Sequence, residues 1–138
     1  MPDPLELRLF AQRYAAAWCS QDPGSVAAHY APEGSLTING GPPAVGRDAI
    51  AEVALSFMTA LPDIEVLFGD LVVRDDRTEF HWTFTGTNTG PGGTGNAVRV
   101  SGYEEWTLAP DGLIADSRGH YDQNEYDRQL AHGVDGTA

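Results

Sequence analysis

The chain has 138 residues, 41% of them hydrophobic, and a formal net charge of -12 at pH 7. This size and composition are typical of one domain with one core. We therefore expect a single domain over residues 1–138, with its core at about residues 5–130 and a C-terminal tail at residues 131–138. The negative charge argues against nucleic acid and anionic membranes as partners, since both attract clustered basic side chains.

The sequence also lacks the pattern of a membrane or secreted protein. It has no run of about 18 apolar residues, which a membrane-spanning helix needs. Its first residues, Met1-Pro2-Asp3-Pro4, do not form a basic stretch followed by an apolar one, as a signal peptide would. We therefore expect a cytoplasmic location.

Three helices are predicted in the first half of the chain. Apolar residues three or four positions apart indicate an amphipathic helix over residues 4–20, with proline in its first turn. Asp22-Pro23 is a helix-start signal and predicts a short helix over residues 24–30. The same apolar spacing predicts a third helix over residues 46–61, which ends at a proline.

The rest of the chain has the pattern of strands. Alternating apolar and polar residues predict them at residues 35–39, 64–74, 78–87, 98–108 and 113–122. The glycine-rich segment between the third and fourth predicted strands, residues 88–96, is expected to be a mobile loop. No further helix is predicted. Helices followed by strands that pair as hairpins indicate the α+β class.

Several short motifs resemble one known family, the SnoaL-like proteins, over about residues 5–130. They are YAPEG at 30–34, GGPPAVGRDAI at 40–50, WTFTGTNTG at 82–90, VSGYEEW at 100–106, DGLI at 111–114 and YD at 121–122. This family belongs to the nuclear transport factor 2-like and ketosteroid isomerase-like superfamily. The resemblance implies a cone-shaped barrel, in which a strongly bent antiparallel sheet wraps around three N-terminal helices and encloses a pocket for a hydrophobic small molecule.

The resemblance leaves two functions open, because the family includes polyketide cyclases, relatives of isomerases and epoxide hydrolases, and members without catalysis. The first is a cofactor-independent enzyme that acts on a hydrophobic, polyketide-like substrate by acid–base chemistry, namely cyclisation, isomerisation or hydration. The second is a non-catalytic small-molecule binding or accessory protein. The chain has no phosphate-binding glycine motif after a strand and no zinc-ligand spacing, so we expect no cofactor and no metal.

The last predicted hairpin decides which side chains face the pocket. The sequence Pro110-Asp111-Gly112 fits a three-residue turn with glycine in a left-handed bulge. That register pairs Glu104 with Arg118 and Gly102 with His120, and we expect the face with these four residues to be concave. A slip by one residue, which would pair Tyr103 with Arg118, is the alternative. If Arg118 and His120 face outward, Ser117, Gly119 and Tyr121 line the pocket instead, and the binding protein becomes the better interpretation.

A catalytic set follows from the preferred register. We expect His120 or Asp122 to be the general base, because a dry pocket shifts the pKa of such a group toward neutrality. Arg118 would stabilise an enolate, while Glu104 would complete the set or form a structural ion pair with Arg118. Family members often have a His-Trp-Asp run in this strand, where the present chain has Ser-Arg-Gly at 117–119. The expected ligand-binding residues are Asn39 at the pocket mouth, Tyr14, Trp18, Trp82, Trp106 and Asp116.

A homodimer is also expected. The resemblance and the broad second face of the sheet, with His81, Thr83, Tyr103 and Thr107, suggest that two copies pack sheet to sheet around a two-fold axis.

Overall fold

The computed structural model describes residues 3–134 of the chain. Within these residues there are four helices: α1 (Pro4–Cys19), α2 (Pro23–Ala27), α3 (Arg47–Ala60) and α4 (Gln123–His132). There are six strands in the same range: β1 (Tyr30–Ile38), β2 (Ala44–Val45), β3 (Glu65–Val73), β4 (Thr78–Thr87), β5 (Ala97–Leu108) and β6 (Ile114–His120). The predicted α+β class is confirmed. None of these four helices has both the length and the apolar character needed to cross a membrane.

Aspartate side chains begin two of the predicted helices. The carboxylate of Asp3 accepts a hydrogen bond from the backbone N–H of Leu5 at 3.1 Å, and that of Asp22 accepts one from Gly24 at 3.0 Å. Each bond satisfies a backbone donor that has no partner inside the helix. A proline follows each aspartate, where its missing N–H costs nothing. The helices therefore begin where the sequence signals predict, although α2 already ends at Ala27.

The strands form one sheet in the order β2-β1-β6-β5-β4-β3. Neighbouring strands are antiparallel except β1 and β6, which are parallel. The expectation of a purely antiparallel sheet is therefore wrong for this pair. Alternating sequence patterns carry no strand direction, and the long connection through α3 and four strands allows β6 to run beside β1 in the same direction.

The core lies between the sheet and the two long helices α1 and α3. Phe80 of β4 is fully buried and its ring stacks between Phe68, at a centroid distance of 5.6 Å, and Trp106, at 5.0 Å. Tyr14 of α1 packs edge-on against both Phe80 and Trp106. Removing one such buried ring costs roughly 3–5 kcal/mol of stability. This aromatic cluster therefore fixes α1 against the middle of the sheet.

The helix α4 was not predicted from the sequence. Only Tyr126 and Gln129 are buried among its ten residues, so it lacks the apolar stripe by which a helix is recognised. A start signal was present, since Asp122 is the N-cap and its carboxylate accepts from the backbone N–H of Glu125 at 3.1 Å. As a result β6 ends at His120 rather than residue 122. Residues 135–138 of the predicted tail lie outside the described residues.

The glycine-rich segment at residues 88–96 is a loop, as expected, and hydrogen bonds hold it at several points. The Asn88 amide donates to the Ala60 carbonyl at 3.0 Å and accepts from the Thr94 backbone N–H at 2.9 Å. The Asn96 amide donates to the Leu130 carbonyl at 3.0 Å. These bonds tie the connection between β4 and β5 to the ends of α3 and α4.

Candidate active site

A β-bulge in β6 decides which side chains face the helices. The turn before it is as predicted: the Ala109 N–H donates to the Leu113 carbonyl at 2.8 Å, and Gly112 has a φ of 87°. The first strand pair is Leu108 with Ile114, but the next is Thr107 with Asp116. The residue skipped between Ile114 and Asp116 is an extra one in β6, and it shifts the pairing of all later residues by one.

The predicted register is therefore wrong beyond Ala115. Glu104 pairs with Gly119 rather than Arg118, and Tyr103 pairs with His120. The alternative register is wrong in its pairs too, although it placed Tyr103 and Arg118 on one face, as observed. One inserted residue reverses the face of every following side chain, because side chains in a strand alternate strictly.

The predicted catalytic set is separated by this shift. The Arg118 side chain is on the outer face, 67% exposed, where it forms an ion pair with Asp116 at 3.3 Å. His120 is also on the outer face, with its ring 4.9 Å from the ring of Tyr103. Asp122 lies beyond the strand and caps α4. Of the four predicted residues, Glu104 is the one that lies on the concave face, toward the helices.

A cavity of about 50 Å³ lies between the concave face of the sheet and the helices α1 and α3. Of the predicted ligand-binding residues, Trp18 and Trp82 line it. Tyr14 and Trp106 lie next to it in the core, and Asn39 and Asp116 are elsewhere. The lining side chains are almost all apolar: Trp18, Leu36, Ile38, Phe57, Ile64, Val66, Trp82, Phe84, Glu104, Gly119 and Tyr121.

A second, open groove lies on the surface near the end of β6. It is lined by Asn39, His120 and Asp122 among others, and Tyr121 borders both this groove and the cavity. The Asn39 amide oxygen accepts from the Tyr121 backbone N–H at 2.9 Å, which fixes the chain at this border. Three of the predicted site residues therefore meet here, outside the cavity.

Glu104 is a buried carboxyl group held by neutral partners. Its Oε1 atom accepts from Trp106 Nε1 at 2.9 Å and from Ser117 Oγ at 2.8 Å. The Tyr14 hydroxyl donates to the same carboxyl group at 3.1 Å, and it lies 2.8 Å from the hydroxyl of Tyr30. None of these four partners is positively charged, so nothing in the hydrogen-bond network neutralises a charge on Glu104.

Burial controls the proton affinity of this network. Loss of solvent raises the pKa of Glu104 above its usual range, and the hydrogen bonds from Trp106, Ser117 and the two tyrosines oppose this rise only in part. Burial also raises the pKa of Tyr14 and of Tyr30 well above their ordinary value, and the nearby Glu104 carboxylate adds to the effect. Glu104 therefore keeps its proton to a higher pH than an exposed glutamate, while the tyrosines stay protonated.

The arrangement leaves one oxygen of Glu104 with spare bonding capacity. Oε1 accepts three hydrogen bonds, whereas Oε2 accepts from the Tyr14 hydroxyl at 3.2 Å. Gly119, directly opposite, places no side chain in front of the carboxyl group. A Cβ atom at Gly119 would lie 3.7 Å from Glu104 Cγ, which is ordinary contact. Glu104 also lines the cavity, so a molecule bound there would lie beside its carboxyl group.

Ser117 and Gly119 were expected at this site only if Arg118 and His120 faced outward, as they do, and Tyr30 was not expected there. Ser117 and Gly119 would have followed from the correct face of β6, but no local signal marks the bulge at Ala115. Tyr30 begins β1, and its contact with Tyr14 joins two residues 16 positions apart. No periodic pattern in the sequence connects them.

Trp82 fills the space beside Gly102. These residues pair across β4 and β5, and a Cβ atom at Gly102 would lie 2.8 Å from the indole ring. The ring also packs against Phe84 and Tyr121, at centroid distances of 5.6 and 6.1 Å. Within residues 3–134, the indole nitrogen of Trp82 is buried without a hydrogen-bond partner.

Comparison with known proteins agrees with the fold. A family model described as a SnoaL-like domain matches residues 11–117. The chain therefore belongs to the SnoaL-like family. A comparison with curated proteins found no match.

Solved structures with similar folds have low sequence identity to this chain. A putative SnoaL-like polyketide cyclase from Jannaschia sp. CCS1 is 20% identical over 95% of this chain and 96% of its own, with a TM-score of 0.80. TsrD from Streptomyces laurentii is 22% identical over 94% and 98% of the two chains, also with a TM-score of 0.80. A protein with a ketosteroid isomerase-like fold from Catenulispora acidiphila, in complex with trimethylamine, is 16% identical over 94% and 97%, with a TM-score of 0.78. At these identities the likeness establishes the fold alone.

Proposed function

We propose that this protein is a cofactor-independent enzyme that uses Glu104 to move a proton on a hydrophobic, polyketide-like substrate. The reaction class is cyclisation, isomerisation or hydration. The observation that carries the proposal is a buried carboxyl group without a positive partner beside an apolar cavity. Burial of this kind is costly, and it tunes the pKa of a carboxyl group for acid–base work near neutral pH.

The chemistry starts at a carbon atom next to a carbonyl group. The Glu104 carboxylate takes a proton from this carbon, and the electrons of the broken C–H bond move to the carbonyl oxygen to form an enolate. In an isomerisation, the same carboxyl group returns the proton to another carbon. In a cyclisation, the enolate carbon bonds to the carbon of a second carbonyl of the substrate. The electrons of the broken C=O π bond move to that oxygen, which then takes the proton from Glu104. The hydroxyl of Tyr14 donates to Glu104 and helps to stabilise the carboxylate form.

The size of the cavity limits the part of the substrate that it holds. Its volume of about 50 Å³ is small beside the roughly 300–1,000 Å³ of pockets for drug-sized ligands. One small ring or acyl group would insert next to Glu104. The rest of a larger substrate would extend past Tyr121 into the surface groove, since this residue borders both spaces.

A non-catalytic binding protein is the second candidate. The cavity wall is otherwise apolar, and Glu104 already has hydrogen-bond partners, as a structural buried carboxyl group would. The two functions differ in one measurable property. Only the enzyme speeds up proton exchange at a carbon of a bound ligand.

Hydrogen–deuterium exchange of cyclohexanone tests the proposal without knowledge of the natural substrate. The α-hydrogens of this ketone exchange slowly in D2O near neutral pH, and proton NMR follows their loss. We expect the protein to accelerate this exchange and Glu104→Gln to lower the protein-dependent rate by about 10²-fold or more. The matched control is Glu105→Gln, the same change one residue along on the outer face, which should leave the rate within about twofold. Binding of the ketone with exchange only at the buffer rate would favour the binding protein.

We also propose that two copies form a homodimer through the outer face of the sheet. His81 and Tyr103 stack there at a centroid distance of 5.2 Å, and Arg77 lies 3.5 Å from Glu105. A face that carries aromatic, basic and acidic groups together can complement itself around a two-fold axis. Light scattering after size exclusion should give twice the 14.8 kDa chain mass at micromolar concentration. Tyr103→Asp should give monomers, and a monomeric unmodified protein would contradict the proposal.

A further inference from the structure

The indole N–H of Trp82 is a hydrogen-bond donor with no acceptor. Its nitrogen is buried, and no atom of residues 3–134 accepts from it. Burying such a donor costs free energy, because the bond it made to water in the unfolded chain is not replaced. Native structures keep few groups of this kind, and each calls for an explanation.

Poor packing does not explain this unpaired donor. Gly102 lies under the indole ring, and any side chain there would collide with it. Phe84 and Tyr121 hold the ring at its other edges. The donor is therefore held in place before any ligand arrives, as binding sites require.

The indole of Trp106 provides a contrast within the same sheet. Its Nε1 atom donates to Glu104 at 2.9 Å, so this buried tryptophan has the usual partner. Trp82 instead lines the cavity, although neighbouring atoms cover its nitrogen. A ligand in the cavity that displaces these atoms can supply the missing acceptor.

We infer that Trp82 Nε1–H is the group that recognises the ligand, and that the ligand is an apolar molecule with a neutral oxygen acceptor, such as a ketone. This inference rests on the proposed function, because it uses the same cavity. A neutral oxygen fits better than a carboxylate. The residues that line the cavity include no cation, and they do include the acidic Glu104.

A pair of ligands with the same shape tests this donor. Cyclohexanone and methylenecyclohexane differ in having C=O or C=CH2 at one position. In a proton–nitrogen NMR spectrum, the three tryptophans of the unmodified protein each give one indole N–H signal. We expect the Trp82 signal to move downfield with the ketone and to stay nearly in place with the alkene. The Trp106 signal, already bonded to Glu104, is the internal control.

Substitution provides a second measurement. Trp82→Phe keeps an aromatic ring but removes the donor, so it should weaken ketone binding about tenfold, or roughly 1.4 kcal/mol, and alkene binding by less than about threefold. Trp18→Phe is the matched control in the same cavity wall, and it should change the binding of both probes by the same factor.

The possible results separate the two proposals. Equal binding of both probes, or a Trp82 signal that does not shift when the ketone is added, overturns the role of Trp82. Either result leaves the proposed function intact. Failure of both probes to bind overturns both proposals. Selective ketone binding without catalysed hydrogen exchange supports the role of Trp82 and counts against Glu104 as the catalytic group.

Discussion

Glu104 and Gly119 lie directly opposite each other in the antiparallel pair of β5 and β6. The glycine leaves an opening in front of a buried carboxyl group, and on both sides of this opening the cavity wall is apolar. This relationship exists because Ala115 forms a bulge. If Ala115 were paired as in a regular strand, the arginine at position 118 would stand opposite Glu104 and neutralise it.

The two glycines next to the cavity should respond differently to alanine. At Gly119 an added Cβ meets Glu104, Thr37 and Ile38 at 3.7–3.9 Å, so Gly119→Ala should fold with nearly unchanged stability. Its methyl group should still lower ketone affinity and hydrogen exchange by several-fold, because it occupies the space beside the carboxyl group. At Gly102 an added Cβ collides with Trp82 and with the His120 carbonyl, so Gly102→Ala should lower stability by roughly 1–3 kcal/mol. Denaturant unfolding measures the stability of the two variants, and cyclohexanone titration measures the ketone affinity. Equal stability of the two variants would contradict this prediction.

Glu104 should make the stability of the protein depend on pH above about pH 4.5. Its pKa in the folded state is raised above the ordinary 4.5, so its contribution is complete below pH 4.5 and is lost as the pH rises through the folded-state value. In that interval the unfolding free energy should fall by up to about 1.4 kcal/mol per pH unit. Glu104→Gln should remove this slope, because glutamine keeps most of the hydrogen bonds but does not ionise.

Urea unfolding of the unmodified protein and of Glu104→Gln at pH 4.5 to 8 measures this pH slope as a difference between the two proteins. The acidic groups with lowered pKa values, Asp63, Glu79 and Glu125, are common to both proteins and cancel. Glu105→Gln controls for the loss of one negative charge and should keep the slope of the unmodified protein. Parallel curves for the unmodified protein and Glu104→Gln would show that Glu104 does not have a raised pKa.

His120→Ala should leave the chemistry of the cavity unchanged. The imidazole lies on the outer face, 3.5 Å from Glu105, and the strand backbone separates it from the cavity. We expect ketone affinity and hydrogen-exchange rate within about twofold of the unmodified protein. A fall of about 10²-fold, as expected when a catalytic base is removed, would return His120 to the catalytic set and would mean that the face of β6 is assigned wrongly.

Deletion of Ala115 should leave the faces of β6 unchanged. The deletion removes the extra residue, so Asp116 follows Ile114 directly and still pairs with Thr107, while Glu104 still pairs with Gly119. We expect a fold with the same site and a loss of at most about 1–3 kcal/mol. Ala115→Gly keeps the bulge and should cost only about 1 kcal/mol or less. Thermal unfolding compares the two, and failure of the deletion variant to fold would contradict the assignment of Ala115 as the extra residue.

The sequence by itself determined the features that depend on neighbouring residues. Apolar spacing placed α1 and α3, because a helix buries one side, and aspartate caps placed the starts of α1 and α2, because the first backbone N–H groups of a helix need partners. Alternation in β4 identified Phe80 and Phe84 as inward-facing, and both are buried. The turn before β6 followed from the position of Gly112, where a left-handed backbone favours glycine.

Only the tertiary structure decided the site. The bulge at Ala115 has no strong local signal, since an alanine fits a regular strand as well, and its position is selected by the burial of Ser117 and Gly119 against β1 and β5. The Glu104 network joins residues 14, 30, 104 and 117, which come together only when α1, β1, β5 and β6 pack. Alternation predicts which side chains of a strand share a face. Which face turns to the core depends on the packing of the whole chain, because one bulged residue exchanges the two faces beyond it.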